Sequence, residues 1–378
     1  MTILSNFRQT EKSKHTKKLI KYIKASMANP TFGINGFGRI GRTSFRVWWL
    51  YHRDQVELKA INTSGSMEIE DWVHLLKHDT NYKMFHESIS VSKTQTTKDV
   101  TDENSVLGTI TIGDDSTGTH TITVTAQRDP AKIPWGKYGV ETVVESTGAF
   151  VTQEKAGLHL QGGAKKVLIS APAKGEGVKS SIIGVNELNL QDGQVGSNES
   201  CTTNCVAPVA AIMHSTFGVK QAMLTTIHSY TDDQNTQDNS HKDLRRARTA
   251  AANIIPTSTG AAVATTRVIP ELKGLFDGLA VRVPTPTGSL SDMVFVVEKA
   301  TTIEEVNATF VEASKQDRWK GILATTTDPI VSSDIIGRRE SSIVDLSLTN
   351  VIGGTMIKVI SWYDNEWGYC NRLIEQIR

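Results

Sequence analysis

Cysteine is scarce: the 378-residue chain has three, Cys201, Cys205 and Cys370. Three thiols in so long a chain cannot build a disulfide scaffold, and their scarcity points to a reducing, cytoplasmic compartment. Long apolar runs are missing as well, since no stretch approaches the ~20 residues a membrane span needs. Net charge is almost absent: 41 Lys and Arg against 40 Asp and Glu leave +1. Such a balance gives the surface as a whole no field for gripping a nucleic-acid backbone. Hydrophobic residues at 38% and charged residues at 21% exclude a disordered chain. Membrane protein, secreted disulfide mini-domain and fibrous protein are ruled out. What remains is a globular protein whose length predicts about two domains, at ~150 residues each.

The near-neutral total conceals an asymmetry. Residues 1–26 hold seven basic residues (Arg8, Lys12, Lys14, Lys17, Lys18, Lys21, Lys24) and one acid, Glu11. This excess of six leaves the rest of the chain at −5. The leader lacks the apolar stretch of a secretory signal, and its lysines outnumber its arginines, unlike an organelle presequence. A solvated tail, a contact arm for an acidic partner, and a start at Met27 are the three readings. The first and last are preferred.

After the leader, Thr31 to Asn35 reads as a strand, Gly36-Phe37-Gly38-Arg39-Ile40-Gly41 as a loop, and Arg42 to His52 as a helix. Val56 to Asn62 is the next strand. Met67 to Lys77 has helical spacing, with Ile69, Trp72, Val73 and Leu76 on one face. Residues 86–128 alternate with period two and read as antiparallel hairpins. Parallel-sheet character returns in VETVVES (140–146) and KKVLISAP (165–172), and long alternating strands follow in AMLTTIHSY, GLAVRVPT, DMVFVVEK and TMIKVISWY. Alternating βα units before strand-rich sequence predict an α/β Rossmann-type cofactor domain followed by an α+β catalytic domain with a large mixed or antiparallel sheet.

Gly36, Gly38 and Gly41 form G-x-G-x-x-G between a strand and a helix. The three glycines serve a tight turn, backbone approach to a pyrophosphate, and close helix packing, and the helix N-terminus offers N–H groups to the phosphates. An acid normally follows about 20 residues on, where it accepts from the ribose 2′-OH. Here the second strand runs into Thr63, Ser64, Gly65 and Ser66. A carboxylate there would repel a 2′-phosphate, whereas hydroxyls and N–H groups would accept one. The missing acid argues against strict NAD selectivity.

Ser200 is a cap-type residue before an apolar helical pattern, so Cys201 falls in the first helical turn. The helix terminus is expected to lower its thiol pKa and supply a thiolate near neutral pH. Cys205 lies one turn along. Only two thiols are local and no paired His completes a site, so no metal is expected. A nucleophilic thiol needs a base, and His228 in TTIHSYT is the best of ten histidines.

GINGFGRIGR, SNESCTTNC, TTIHSYT, IIPTSTGAA, RVPTP and SWYDNEWGY occur in this order, and together they resemble phosphorylating glyceraldehyde-3-phosphate dehydrogenase from about residue 30 onward. The resemblance implies that Cys201 attacks the aldehyde of glyceraldehyde 3-phosphate, that His228 handles the protons, and that inorganic phosphate cleaves the thioester to give 1,3-bisphosphoglycerate. It implies Thr231 and Arg282 as substrate-phosphate ligands, and Ser200, Thr202, Thr259 and Gly260 as the inorganic-phosphate site. On the cofactor side it implies Asn35, Gly36, Gly38, Arg39, Ile40 and Gly41 around the pyrophosphate and Thr63 and Ser64 at the ribose. Arg128 and Ser146 match positions near the adenine and nicotinamide ends, and Asn365 the carboxamide. A homotetramer with NAD or NADP follows from the same likeness, while the charge balance and the missing apolar runs argue for no nucleic-acid partner and no membrane.

Implied boundaries are a basic extension (1–29), a dinucleotide-binding domain (30–200), a catalytic domain (201–362) and a C-terminal helix (363–378) returning to the cofactor domain. Two departures bear on the cofactor. NAD-selective relatives carry an acid where Thr63 stands, and a Leu-Pro pair where this chain has Asn239-Ser240, so Ser240 is expected to reach a 2′-phosphate in a neighbouring subunit. The basic run Lys242, Arg245, Arg246, Arg248 reads as part of the same inter-subunit loop, and 86–128 as a tolerated surface insertion. The rivals are erythrose-4-phosphate dehydrogenase, whose thioester is hydrolysed, and a non-catalytic binding or adhesion protein on the same fold. The intact Thr202, Thr259 and Gly260 favour phosphorolysis, and the presence of Cys201 and His228 disfavours loss of catalysis.

Overall fold

The computed structural model describes residues 29–378, so the basic leader and Met27 lie outside the described residues. Two sheets organise the chain. The first has nine strands: β1 (Thr31–Asn35), β2 (Glu57–Thr63), β3 (Ile89–Lys93), β4 (Val106–Asp114), β5 (Gly118–Ala126), β6 (Thr142–Glu145), β7 (Lys166–Ile169), β8 (Lys179–Ser180) and β9 (Val195–Ser197). Their order is β8-β9-β7-β6-β1-β2-β5-β4-β3. Pairing is parallel from β8 through to β5 and antiparallel beyond it. The chain passes from β1 outward to β2 and later returns to lay β6 on the other flank of β1. That reversal opens a crevice at the C-terminal ends of β1, β2 and β6, where doubly wound sheets bind ligands.

Residues 86–128 are indeed hairpin strands, and they build the far edge of this sheet. β5 joins β2 in parallel over Ala60–Thr63, so the hairpins continue the first sheet itself. The first helix, α1 (Arg39–Val47), begins three residues earlier than the pattern predicts and passes into a π-helical turn at Trp48–His52. Extended Gly38 serves as its N-cap, so Arg39, Ile40 and Gly41 belong to the first turn. Helix α2 (Ile69–Lys77) buries Ile69, Trp72, Val73 and Leu76, the predicted face. Helix α3 (Gln153–Gln161) bridges β6 and β7.

The second sheet has eight strands: β10 (Val219–Ser229), β11 (Ile255–Ser258), β12 (Phe276–Val283), β13 (Ser289–Val297), β14 (Leu323–Thr326), β15 (Ser342–Asp345), β16 (Asn350–Ile352) and β17 (Met356–Tyr363). They run β11-β12-β10-β13-β17-β15-β14, with β16 on β17, in mixed orientation. Helices α4 (Cys201–Phe217), α5 (Ala261–Val268) and α6 (Ile303–Ser314) flank it. One face of the sheet and the apolar side of α4 form a single core containing Val206, Met213, Leu224, Phe295, Phe310 and Val359. The last helix, α7 (Trp367–Glu375), buries Trp367, Leu373 and Ile374 with Phe45, Trp48 and Ile34 of the first sheet's layer. No helix among the described residues is long and apolar enough to cross a membrane.

Candidate active site

Helix α4 starts where the first sheet ends, and its N-terminus faces the cleft between the two sheets. Ser200 caps it, its Oγ accepting from the Thr203 N–H at 3.0 Å. A cap of this kind is worth about 1 kcal/mol and fixes the entry of the chain into the helix. Cys201 is therefore the first helical residue, and its Sγ lies 3.4 Å from His228 Nε2 on β10. His228 Nδ1 is 2.7 Å from the Ser229 carbonyl oxygen. Arg282 Nη1 lies 3.0 Å from the same nitrogen, so two tautomers compete; in the one where Nδ1–H donates to Ser229, the Nε2 lone pair faces the thiol. Cys205, one turn on, is wholly buried beneath the second sheet.

The electrostatics differ from the expectation of a depressed thiol. Burial pushes the Cys201 thiol up, while the Arg282 cation and the N–H groups of the helix start pull it back. Burial also presses His228 down to about 3, with Arg282 adding to the effect. The helix terminus acts in the expected direction, but desolvation of a thiolate outweighs it. The resting pair is a thiol beside a neutral imidazole that can take its proton.

Arg282, on β12 beside His228, donates from Nη1 to the Ser229 carbonyl at 2.9 Å and to Thr231 Oγ1 at 3.3 Å. Its Nε is buried without a partner. An orphaned guanidinium donor beside a hydroxyl is an arrangement that an oxyanion would complete. A cavity of about 740 Å³ gathers Ser200, Cys201, His228, Thr231 and Asn365. Asn365 Oδ1 accepts from the Gly288 N–H at 3.1 Å and the Ser289 hydroxyl at 3.0 Å, which turns its amide nitrogen toward the cleft.

Three phosphate-site residues are placed differently. The Thr202 hydroxyl is buried against Tyr363, 2.9 Å away, and Tyr363 in turn meets Thr226 at 2.8 Å. Thr259 and Gly260 precede α5 and do not line the Cys201 cavity. Arg246 of the basic run, which the sequence pattern does not single out, bonds Thr257 Oγ1 at 3.0 Å and pairs with Asp233. From there it adds positive field at both His228 and Arg282. Only the turn that folds this segment back reveals that, and no residue spacing announces it.

The second cleft, about 580 Å³, runs along the glycine loop and holds Asn35, Gly36, Gly38, Arg39, Ile40, Thr63, Ser64, Arg128 and Ser146. Its glycines behave as the fingerprint requires. A β-carbon on Gly41 would sit 2.1 Å from the Gly36 carbonyl oxygen, and Gly36 has φ +94°, whereas one on Gly38 would meet nothing within 4 Å. The open face of Gly38 beside an uncapped helix start fits a dinucleotide pyrophosphate. Several side chains in this cleft are engaged elsewhere. Asn35 donates to Glu145 at 2.5 Å and accepts from Asn62 at 2.7 Å. Arg39 is paired with Asp79 and Glu366 at 2.9 and 2.5 Å, which engages its guanidinium within the chain. Ser146 donates to the Asn35 and Gly36 carbonyls and braces the loop.

At the ribose end the picture shifts by one residue. Thr63 is 1% exposed and its hydroxyl donates to the Thr125 carbonyl, so it is withdrawn from any ligand. Ser64 and Ser66 are exposed, 2.8 Å apart, and Ser64 shares the cleft with exposed Arg128. Ser240 is exposed on its loop and lines neither of these two clefts.

Comparisons with known proteins agree with one another on the family. The family model for the NAD-binding domain of glyceraldehyde 3-phosphate dehydrogenase matches residues 31–153, and that for its C-terminal domain matches 200–365. The chain is 48% identical over 345 residues to glyceraldehyde-3-phosphate dehydrogenase of Streptomyces coelicolor, covering 91% of this chain and 96% of that one. Identity is 48% over 347 residues to glyceraldehyde-3-phosphate dehydrogenase 1 of Bacillus subtilis, with the same coverage. It is 46% over 344 residues to glyceraldehyde-3-phosphate dehydrogenase 2 of a Synechocystis species, 90% of this chain and 96% of the relative.

Proposed function

The chain belongs to the glyceraldehyde-3-phosphate dehydrogenase family, and from that premise we propose that Cys201 and His228 carry out the phosphorylating oxidation of glyceraldehyde 3-phosphate. The observation that carries this reading is the 3.4 Å approach of Sγ at a helix start to an acceptor nitrogen, with Arg282 and Thr231 alongside. Arg282, with its unpartnered Nε, and Thr231 hold the substrate phosphate. Cys201 attacks the aldehyde carbon, and His228 passes the thiol proton to the forming hydroxyl. The Cys201 N–H steadies the developing oxyanion. When bound, the nicotinamide supplies the two-electron oxidant for the thiohemiacetal. His228 Nε2 receives the hydroxyl proton in that oxidation, leaving a thioester on Cys201. Inorganic phosphate then attacks the thioester carbonyl, the acyl phosphate leaves, and the sulfur regains its proton from His228.

The backbone of Gly36, Gly38, Arg39 and Ile40 holds the dinucleotide, and Asn365 donates to the carboxamide. For the choice between NAD and NADP, the exposed Ser64, Ser66 and Arg128 are the groups we assign to a 2′-phosphate, with Ser240 of a neighbouring subunit as a further donor. Asp102 lies near this end but is occupied by Lys132 and Gln127, so it does not replace the missing acid. We read the chain as 30–200 and 201–362 with 363–378 returning to the first unit, because α7 shares the core of α1. Self-association is supported by the face of the second sheet opposite α4, where Met223, Leu279 and Met356 stay exposed.

Initial rates of aldehyde oxidation with and without inorganic phosphate test the reading. Phosphate-dependent turnover that C201S abolishes is expected. Turnover indifferent to phosphate assigns the chain to the hydrolytic erythrose-4-phosphate reaction, and turnover by C201S refutes the nucleophile.

A further inference from the structure

Glu199 stands directly before Ser200 and Cys201, and no step of the reaction above uses it. Its backbone has φ +54°, and among the described residues Lys83 is the one other non-glycine with positive φ. The left-handed region is unfavourable for a residue with a β-carbon. The side chain is completely buried, which is unfavourable for a carboxylate unless it is bonded. Oε1 accepts from the Ser180 hydroxyl of β8 and pairs with Arg267 Nη1 of α5 at 3.3 Å, while Oε2 is buried without a partner. The Glu199 N–H donates to Ser197 Oγ at 3.0 Å, and its carbonyl accepts from the Tyr369 hydroxyl of α7 at 3.0 Å. The edge of the first sheet, α5 and α7 thus meet on the residue that turns the chain into α4.

We propose that Glu199 is a positioning residue whose side-chain tether holds this strained turn, aiming Cys201 at His228 and tying the start of α4 to α5. The proposal rests on the reading of Cys201 and His228 as the reacting pair. Strain of this kind persists only where surrounding contacts over-determine it. Without the tether an alanine turn relaxes toward negative φ and a glycine turn is free to sample either region, so in both Ser200 and Cys201 are no longer held against a histidine fixed on a central strand. Folding alone does not ask for a carboxylate here: glycine adopts the same φ without strain and buries no charge. What the carboxylate adds is a link between two helix ends and a sheet edge, all three converging on the nucleophile.

The test compares the full chain with E199Q, E199A and E199G. Glutamine keeps an acceptor for Ser180 and Arg267, alanine keeps the strain without the tether, and glycine removes both. For E199A and E199G, kcat for aldehyde oxidation is expected to fall by roughly 10- to 100-fold, as a displaced nucleophile requires, with KM for aldehyde and cofactor unchanged. E199Q should retain most of kcat, and E199G should melt no lower than E199A. Alkylation of Cys201 by iodoacetamide, followed at the Cys201 peptide, should slow in the same order. A glycine variant with wild-type kcat and alkylation rate overturns the proposal, whatever its Tm. Alkylation needs neither substrate nor cofactor, so its order decides the positioning role even if the wild-type chain oxidises no aldehyde.

Discussion

At the residue scale, the reactivity proposed for Cys201 rests on the difference between two environments 3.4 Å apart. Burial raises the thiol and lowers the imidazole to about 3, so at neutral pH His228 is uncharged. Replacing it with glutamine keeps a polar side chain but no usable base. We expect H228Q to lower kcat by about 10²–10⁴-fold, the usual worth of a positioned base, with little change in aldehyde KM; steady-state kinetics check this. At the other end of the dinucleotide, R128A should lower kcat/KM for NADP by about ten-fold or more while sparing NAD, as loss of a charge-assisted phosphate contact requires. Equal losses with both cofactors would remove Arg128 from the 2′-phosphate assignment. Cys201 and His228 were legible in the sequence because a cap residue and an alternating strand lie next to them. The direction of the Thr63 and Thr202 hydroxyls was not, since it depends on Thr125 and Tyr363, partners about 60 and 160 residues away in sequence. Arg246 was hidden for the same reason.

At the scale of elements, the glycine loop offers a paired comparison. G41A drives a methyl group to 2.1 Å from the Gly36 carbonyl, so the loop and α1 must part. A loss of about 1–3 kcal/mol is expected in urea unfolding, together with weaker cofactor binding. G38A has open space around its β-carbon, so its stability should stay near wild type while cofactor KM rises, because the methyl occupies the approach of the pyrophosphate. Equal destabilisation by both changes would contradict the division of labour among the glycines. The strand–loop–helix order, the amphipathic face of α2 and the hairpins of 86–128 could all be read from periodicity. The early start of α1 and its π-helical end could not, because they follow from Gly38 taking the cap position and from packing of Trp48 and Trp49 in the core. Nor could alternation reveal that β5 pairs in parallel with β2.

For the whole molecule, two buried histidines couple stability to pH. His228 is held near 3, and burial with the neighbouring Arg378 lowers His52 to about 4, against an ordinary value of 6.5. Between 6.5 and those values the unfolded chain binds the protons and the folded chain does not, so stability falls as pH is lowered through that window. Each group contributes up to about 1.4 kcal/mol per pH unit there. Urea unfolding across that range should show the decline, and H52Q should flatten part of it. On the outer face of the second sheet, M223E should weaken self-association in sedimentation without lowering kcat per folded chain. The cleft between the two sheets is where these scales meet, because the claim that matters most is a covalent one at Cys201. Mass spectrometry after a single turnover with glyceraldehyde 3-phosphate and cofactor, with inorganic phosphate withheld, tests it directly. An acyl adduct is expected on the Cys201 peptide, and it should disappear when phosphate is added. Reduced cofactor formed with Cys201 unmodified, or an adduct on Cys205, would contradict it.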